Sequence, residues 1–180
     1  MHRSPMLAAL AFLYMPPVAL PRVQQPTPAP VWLAADTAAK VVTLSLEITV
    51  PPGAPSALIN GYRSGAVQII VPLNWTVTWH WQSSDSTAPH SLVLTAEREK
   101  LPAEGGRPAL DNAMTRMVTA GLKAGQEDVT TFVADQAGWY WLLCGVPGHA
   151  LKGEWVGLRV DPDARMPAVR EKRSTVNSEQ

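Results

Sequence analysis

The feature that most constrains this chain is the spacing of its apolar residues, which recur at every second position rather than every 3.6. In residues 75–81 (WTVTWHW), Trp75, Val77, Trp79 and Trp81 share one face while Thr76, Thr78 and His80 share the other. That is the alternation of a strand buried on one side only. Residues 41–48 (VVTLSLEI) alternate in the same way from Val42 onward, and residues 66–72, 91–95, 129–134, 139–144 and 155–160 add further β-rich runs. Turn residues punctuate them: Pro51, Pro52 and Gly53, then Gly121 and Gly125, then Asp135 and Gly138. Seven to eight short strands with no long helix between them predict an all-β domain, a sandwich or barrel rather than a parallel sheet.

Residues 96–127 interrupt this pattern, and their middle, residues 109–121, is expected to hold a short helix or an irregular excursion. The ends differ in character from the centre. Arg3 precedes the apolar run at residues 6–15, which has the length of a signal-peptide core and falls short of the ~20 residues a membrane helix needs. Residues 1–20 therefore read as a signal peptide or membrane anchor, and bacterial lipoprotein anchoring is excluded because no cysteine lies near them. Residues 16–30 hold six of the seventeen prolines, so 21–31 reads as an extended linker. The folded unit is expected over residues 32–160, and residues 161–180, charged and free of aromatics, as a solvated tail. The destination is exported, periplasmic or otherwise extracytoplasmic, with a membrane tether if the leader is retained.

Charge narrows the partners. Fifteen basic and fifteen acidic side chains give a net charge of zero, so there is no field to steer polyanions and nucleic acid is not expected as a partner. The single cysteine, Cys144, excludes an intrachain disulfide, a four-cysteine zinc site, an iron–sulfur cluster and any dicopper centre needing two bridging thiolates.

Cys144 ends the run 139–144, and after the turn formed by Gly145, Val146, Pro147 and Gly148 comes His149, giving C-x4-H. Far upstream, His90 follows Pro89 at the start of the run 91–95. Two imidazoles and one thiolate are the in-plane set of a mononuclear electron-transfer copper. The thiolate donates strongly to the metal, imidazoles bind both oxidation states, and strand ends hold all three with little rearrangement. Taken singly, Cys144 would be a buried small hydrophobe and His90 a surface histidine; their joint order around a Gly/Pro turn points to the metal. His80 belongs to the polar face of its strand, and His2 to the leader.

The segments PHSLVL (89–94) and GWYWLLCGVPGHALKGEW (138–155) resemble the cupredoxins, and among these the sulfocyanins; residues 59–79 resemble the segment ahead of the first ligand. The resemblance implies a cupredoxin-like Greek-key β-sandwich, one copper ion cycling between Cu(I) and Cu(II), and one-electron transfer between redox partners. It carries over His90, Cys144 and His149 as copper ligands. The family spacing continues C-x4-H-x4-M, and here Glu154 stands where the axial thioether would be, with Trp155 following as in the family. Two readings of Glu154 stay open. A bound carboxylate stabilises Cu(II), lowers the potential and gives a red or green protein. A carboxylate swung to solvent leaves a three-coordinate blue site, or one with a weak axial contact from the Pro89 carbonyl. Met114 or Met117 would replace the thioether only if residues 96–127 fold over the site.

Trp75, Trp79, Trp81, Trp139 and Trp141 fall at period two and are expected in the core, while Trp155 is placed to shield the metal from water. Ser91 sits beside His90, and whether it ties the two ligand loops together is open. Electrons are expected to pass at His149, its ring edged by Val146, Pro147, Ala150 and Leu151, to redox proteins that dock briefly on a monomer. The alternatives are a red-copper, nitrosocyanin-like site with a catalytic or small-molecule-binding role, and a copper store or chaperone.

Overall fold

The structure, a computed structural model, describes residues 29–172; the leader, most of the linker and the last residues of the tail lie outside it. Among the described residues ten strands form two mixed five-stranded sheets. The first sheet contains β1 (Leu33–Asp36), β2 (Val41–Thr49), β5 (Thr76–Ser83) and β7 (Glu127–Val133) in that order, with β3 (Leu58–Ile59) also paired to β2. The second runs β10 (Ala168–Glu171), β4 (Val67–Pro72), β9 (Trp155–Asp161), β8 (Gly138–Leu143) and β6 (Val93–Ala96). β2 lies parallel to β5 and β4 parallel to β9, and every other pairing is antiparallel.

The alternation read from the sequence is the alternation of burial. Along β2, Val42, Leu44, Leu46 and Ile48 are buried, and along β5, Val77, Trp79 and Trp81, with Leu44 in register opposite Trp79. The facing sheet contributes Val67, Ile69 and Val71 from β4, Tyr140 and Leu142 from β8, and Val156, Leu158 and Val160 from β9. Trp79 packs edge-on against Phe132 of β7, ring centroids 5.2 Å apart. Loss of a core side chain of this size costs about 3–5 kcal/mol, because the neighbours relax only partly into the hole.

Three expectations are corrected. Residues 109–121 form no helix; among the described residues the one helical element is the 3-10 turn Ala150–Lys152. Asn112 and Met117 take positive φ angles of 63° and 53°, and Gly121 one of 76°, so the backbone leaves the helical region repeatedly. The segment instead covers the open side of β6, through the bridges Val93 to Met114 and His90 to Leu122 and the bonds Leu94 N–H to Ala113 O and Thr115 N–H to Leu92 O. It thereby blunts a sheet edge. The tail is the second correction: it is not solvated from residue 161 onward, because β10 pairs with β4 from Ala168 opposite Ile70 to Glu171 opposite Val67. Trp139 is the third. It is 49% exposed under the Arg159 guanidinium, 4.8 Å from the ring centre, rather than in the core.

Candidate metal centre

Three of the expected donors come from one connection, that between β8 and β9. Cys144 directly follows β8 and its N–H donates to the carbonyl of Glu154, 3.0 Å away, closing the loop at its base. Gly148 turns the chain at φ 80°, His149 precedes the 3-10 turn, and Gly153 ends that turn in the left-handed region at φ 101°. Glu154 follows, its N–H bonded to the carbonyl of His149, and β9 begins at Trp155. The fourth donor, His90, arrives from the connection between β5 and β6 and is pinned by reciprocal backbone bonds with Leu122.

The fold brings all four together: donor atoms of His90, Cys144, His149 and Glu154 lie within 4.8 Å of one another. Cys144 Sγ is 3.6 Å from His149 Nδ1, and Glu154 Oε2 is 3.2 Å from the same nitrogen. Donors that share one ion at about 2.0–2.3 Å, at angles between tetrahedral and trigonal, stand about 3.3–3.8 Å apart, so the set fits a single metal. Glu154 Oε1 to His90 Nδ1, at 2.6 Å, is a hydrogen-bond length, and these two would part by under about 1 Å to admit an ion. Thiolate, imidazole and carboxylate together suit copper or another borderline cation.

The carboxylate of Glu154 points inward. The residue is 2% exposed and sits between the Nδ1 atoms of both histidines, which overturns the solvent-swung reading of this position. Met114 and Met117 are exposed, at 40% and 59%, and His80 stays on the outer face of β5. His149 is the one donor that reaches the surface, its side chain 16% exposed. Around it Val146 and Leu151 are partly or largely exposed, whereas Ala150, expected in this rim, is buried beneath it.

Ser91 makes the tie that was open from sequence. Its N–H points at Cys144 Sγ, 3.4 Å away, its hydroxyl donates to the Val118 carbonyl at 2.6 Å, and its Oγ accepts from Gly145 N–H at 3.0 Å. Residues 97–126 lie against the ligand loop, with Gly105 N–H bonded to Gly145 O and Gly148 N–H to Ala103 O. Gly145 is needed for this approach, because a Cβ there would come 2.7 Å from a Val118 methyl and 2.9 Å from its carbonyl oxygen. Val93, Trp141, Leu143 and Ala150 form a small second core behind the loop, packed by Leu101, Val118 and Trp155. Trp155 stands edge-on to Trp141 at 6.2 Å.

Sequence reading missed Asp85. Its Oδ2 accepts from His90 Nε2–H at 2.8 Å, and its Oδ1 is held by Thr87 N–H at 2.8 Å and Thr87 Oγ1–H at 2.6 Å. A D-x-T turn ahead of a candidate ligand was the available signal, but spacing alone does not say that the carboxylate returns to the ring.

With protons rather than metal on the rings, the electrostatics are those of a caged imidazolium. Burial pushes His90 down, but its bonds with Cys144 and Glu154 and with Asp85 outweigh this and raise it to about 10. His149 is raised to about 9, chiefly by its bonds with Cys144 and Glu154. Burial pushes both acids up, yet hydrogen bonds from His90 and Thr87 hold Asp85 down at about 2, and bonds from His149 and His90 hold Glu154 below its ordinary value. The same anions that hold the protons here would hold a cation.

The sulfocyanin (SoxE) domain profile matches residues 28–169. The protein "Sulfocyanin" of Sulfolobus acidocaldarius is 27% identical over 135 residues, covering 71% of this chain and 67% of its own length. Among solved structures, reduced rusticyanin is 23% identical with a TM-score of 0.46, covering 68% of this chain and 85% of that one. Auracyanin B is 20% identical with a TM-score of 0.46, covering 74% and 97%. With a β-sandwich in place, a copper-type donor group at one end of it and a profile match across most of its length, the chain belongs to the sulfocyanin (SoxE) domain family of cupredoxins, whose members bind one copper ion.

Proposed function

We propose that this chain is a one-electron carrier whose copper would be held by His90, Cys144 and His149, with Glu154 adding a carboxylate oxygen. The observation that carries the reading is the inward carboxylate, bonded toward both histidines at a buried site. When bound, the copper supplies a centre that gains and loses one electron. The chain's own residues keep the change small. The β8–β9 loop is closed by its own backbone bonds and stapled to the His90 segment through Ser91 and to residues 97–126 through Gly105 and Gly148. Donors so fixed have little freedom to rearrange between oxidation states.

Electrons enter and leave at His149, whose ring edge is the exposed part of the donor set. Val146, Pro147 and Leu151, the last 61% exposed, offer a small apolar rim for brief docking of a redox partner to the monomer. The depth of the other donors speaks for a carrier rather than a store, which must release its metal, and rather than a red-copper catalyst, which needs an open position. We place its work outside the cytoplasm, as the leader suggests; among the described residues no helix is long and apolar enough to cross a membrane.

Absorption and EPR spectra of the copper-loaded protein, parent beside Glu154→Met, test the ligand set. One copper per chain and an intense sulfur-to-copper band are expected, with Glu154→Met moving the spectrum toward the blue type and raising the potential. Identical spectra would remove Glu154 from the metal, a colourless parent would end the copper reading, and azide binding to the parent would favour the open site.

A further inference from the structure

Asp85 lies outside the donor group, yet the protein builds a dedicated seat for it. Its carboxylate is buried, and Oδ1 is fully engaged by Thr87 N–H and Oγ1–H, which fixes Oδ2 against His90 Nε2–H at 2.8 Å. Ser83 Oγ accepts from the Asp85 N–H at 3.2 Å, anchoring the start of the turn to the end of β5. Among the described residues the only ion-pair partner of Asp85 is His90. Because Nε2 is committed to Asp85, the ring presents Nδ1 to the other donors, at 2.6 Å from Glu154. A backbone carbonyl or a water would orient the imidazole equally well; a carboxylate adds a full charge one ring away from the ion.

The geometry points to Asp85 as a positioning residue of the metal centre, one that holds His90 with Nδ1 toward the ion and, through its uncompensated negative charge, favours the oxidised metal. This rests on the reading in which His90 ligates copper. Once a metal replaces the Nδ1 proton, His90 no longer balances Asp85 as an imidazolium. The charge of Asp85 then adds to those of the Cys144 thiolate and the Glu154 carboxylate, and all three act on the Cu(II)/Cu(I) equilibrium in the same direction.

Two variants of the full chain separate the orienting role from the charge. Asp85→Asn keeps an oxygen that accepts from Nε2–H and removes the charge. It should take up one copper with the parent's absorption and EPR spectra, while the Cu(I)/Cu(II) ratio at a fixed applied potential rises at least tenfold, a shift of about 59 mV for a one-electron couple. Asp85→Ala removes both and should also weaken copper binding by about 10–100-fold. In the copper-free parent, NMR should show a slowly exchanging His90 Nε2–H resonance, retained in Asp85→Asn and lost in Asp85→Ala. An unshifted potential in Asp85→Asn overturns the charge, and parent-like affinity in Asp85→Ala overturns the positioning. If Asp85→Ala does not fold, Asp85→Asn and the parent NMR signal still decide. A parent that binds no copper overturns the ligand reading instead, which the NMR arm distinguishes because it needs no metal.

Discussion

Raising the pH of the copper-free protein should destabilise it through a range in which most proteins are insensitive. His90 is held at about 10 and His149 at about 9, against about 6.5 for a histidine in an unfolded chain. Between these limits the folded state binds more protons than the unfolded state, so stability falls as pH rises. The contribution is complete below about pH 6.5 and is lost through the folded values. The two rings share Glu154 and His90 also faces Asp85, so we count at least a single extra proton. That gives about 1.4 kcal/mol per pH unit, or about 3 kcal/mol between pH 7 and 9. At the acid end the sign reverses: Asp85, depressed to about 2, loses its contribution as pH falls from about 4 toward that value. Urea unfolding at fixed pH steps, with Glu154→Gln alongside, reads this directly. The parent should show the slope and Glu154→Gln a much flatter one; a parent whose unfolding free energy is level from pH 7 to 9 would refute the caged-imidazolium argument. Copper takes the place of these protons, so loading should release them and tighten with rising pH.

Ser91→Ala removes the hydroxyl that joins Gly145 N–H to the Val118 carbonyl. It should cost about 1–3 kcal/mol in thermal or chemical unfolding by leaving buried groups unpaired, and broaden the EPR signal as the loop loosens. Val146→Asp should slow electron exchange with the redox partner in stopped-flow measurements without changing copper content. Unchanged kinetics would rule out the His149 rim as the docking face.

Much of this molecule was legible in its residues. The alternation at residues 41–48 and 75–81 marks β2 and β5 because one face of each strand meets the opposite sheet and the other meets water. The pattern fails where neither condition holds. In the last four residues of β8, Tyr140 and Leu142 face the main core while Trp141 and Leu143 face the second one, so both sides are apolar. Trp139, on the same face as Trp141, is left outside because it lies beyond that small core. β10 carries no alternation to read; Val169 is only partly buried, and the strand exists through backbone pairing to β4.

Residue type and order by themselves determined that the chain is all-β and offered one thiolate and two imidazoles as metal donors, with the role of Glu154 open, because strand periodicity and donor identity are local properties of the chain. Tertiary structure alone decided that Glu154 faces inward, that Ser91 joins the ligand loops and that Asp85 backs His90. Each of these contacts joins residues from different connections, or depends on where a turn sends a side chain. Such distances are fixed only when the two sheets and residues 97–126 pack together.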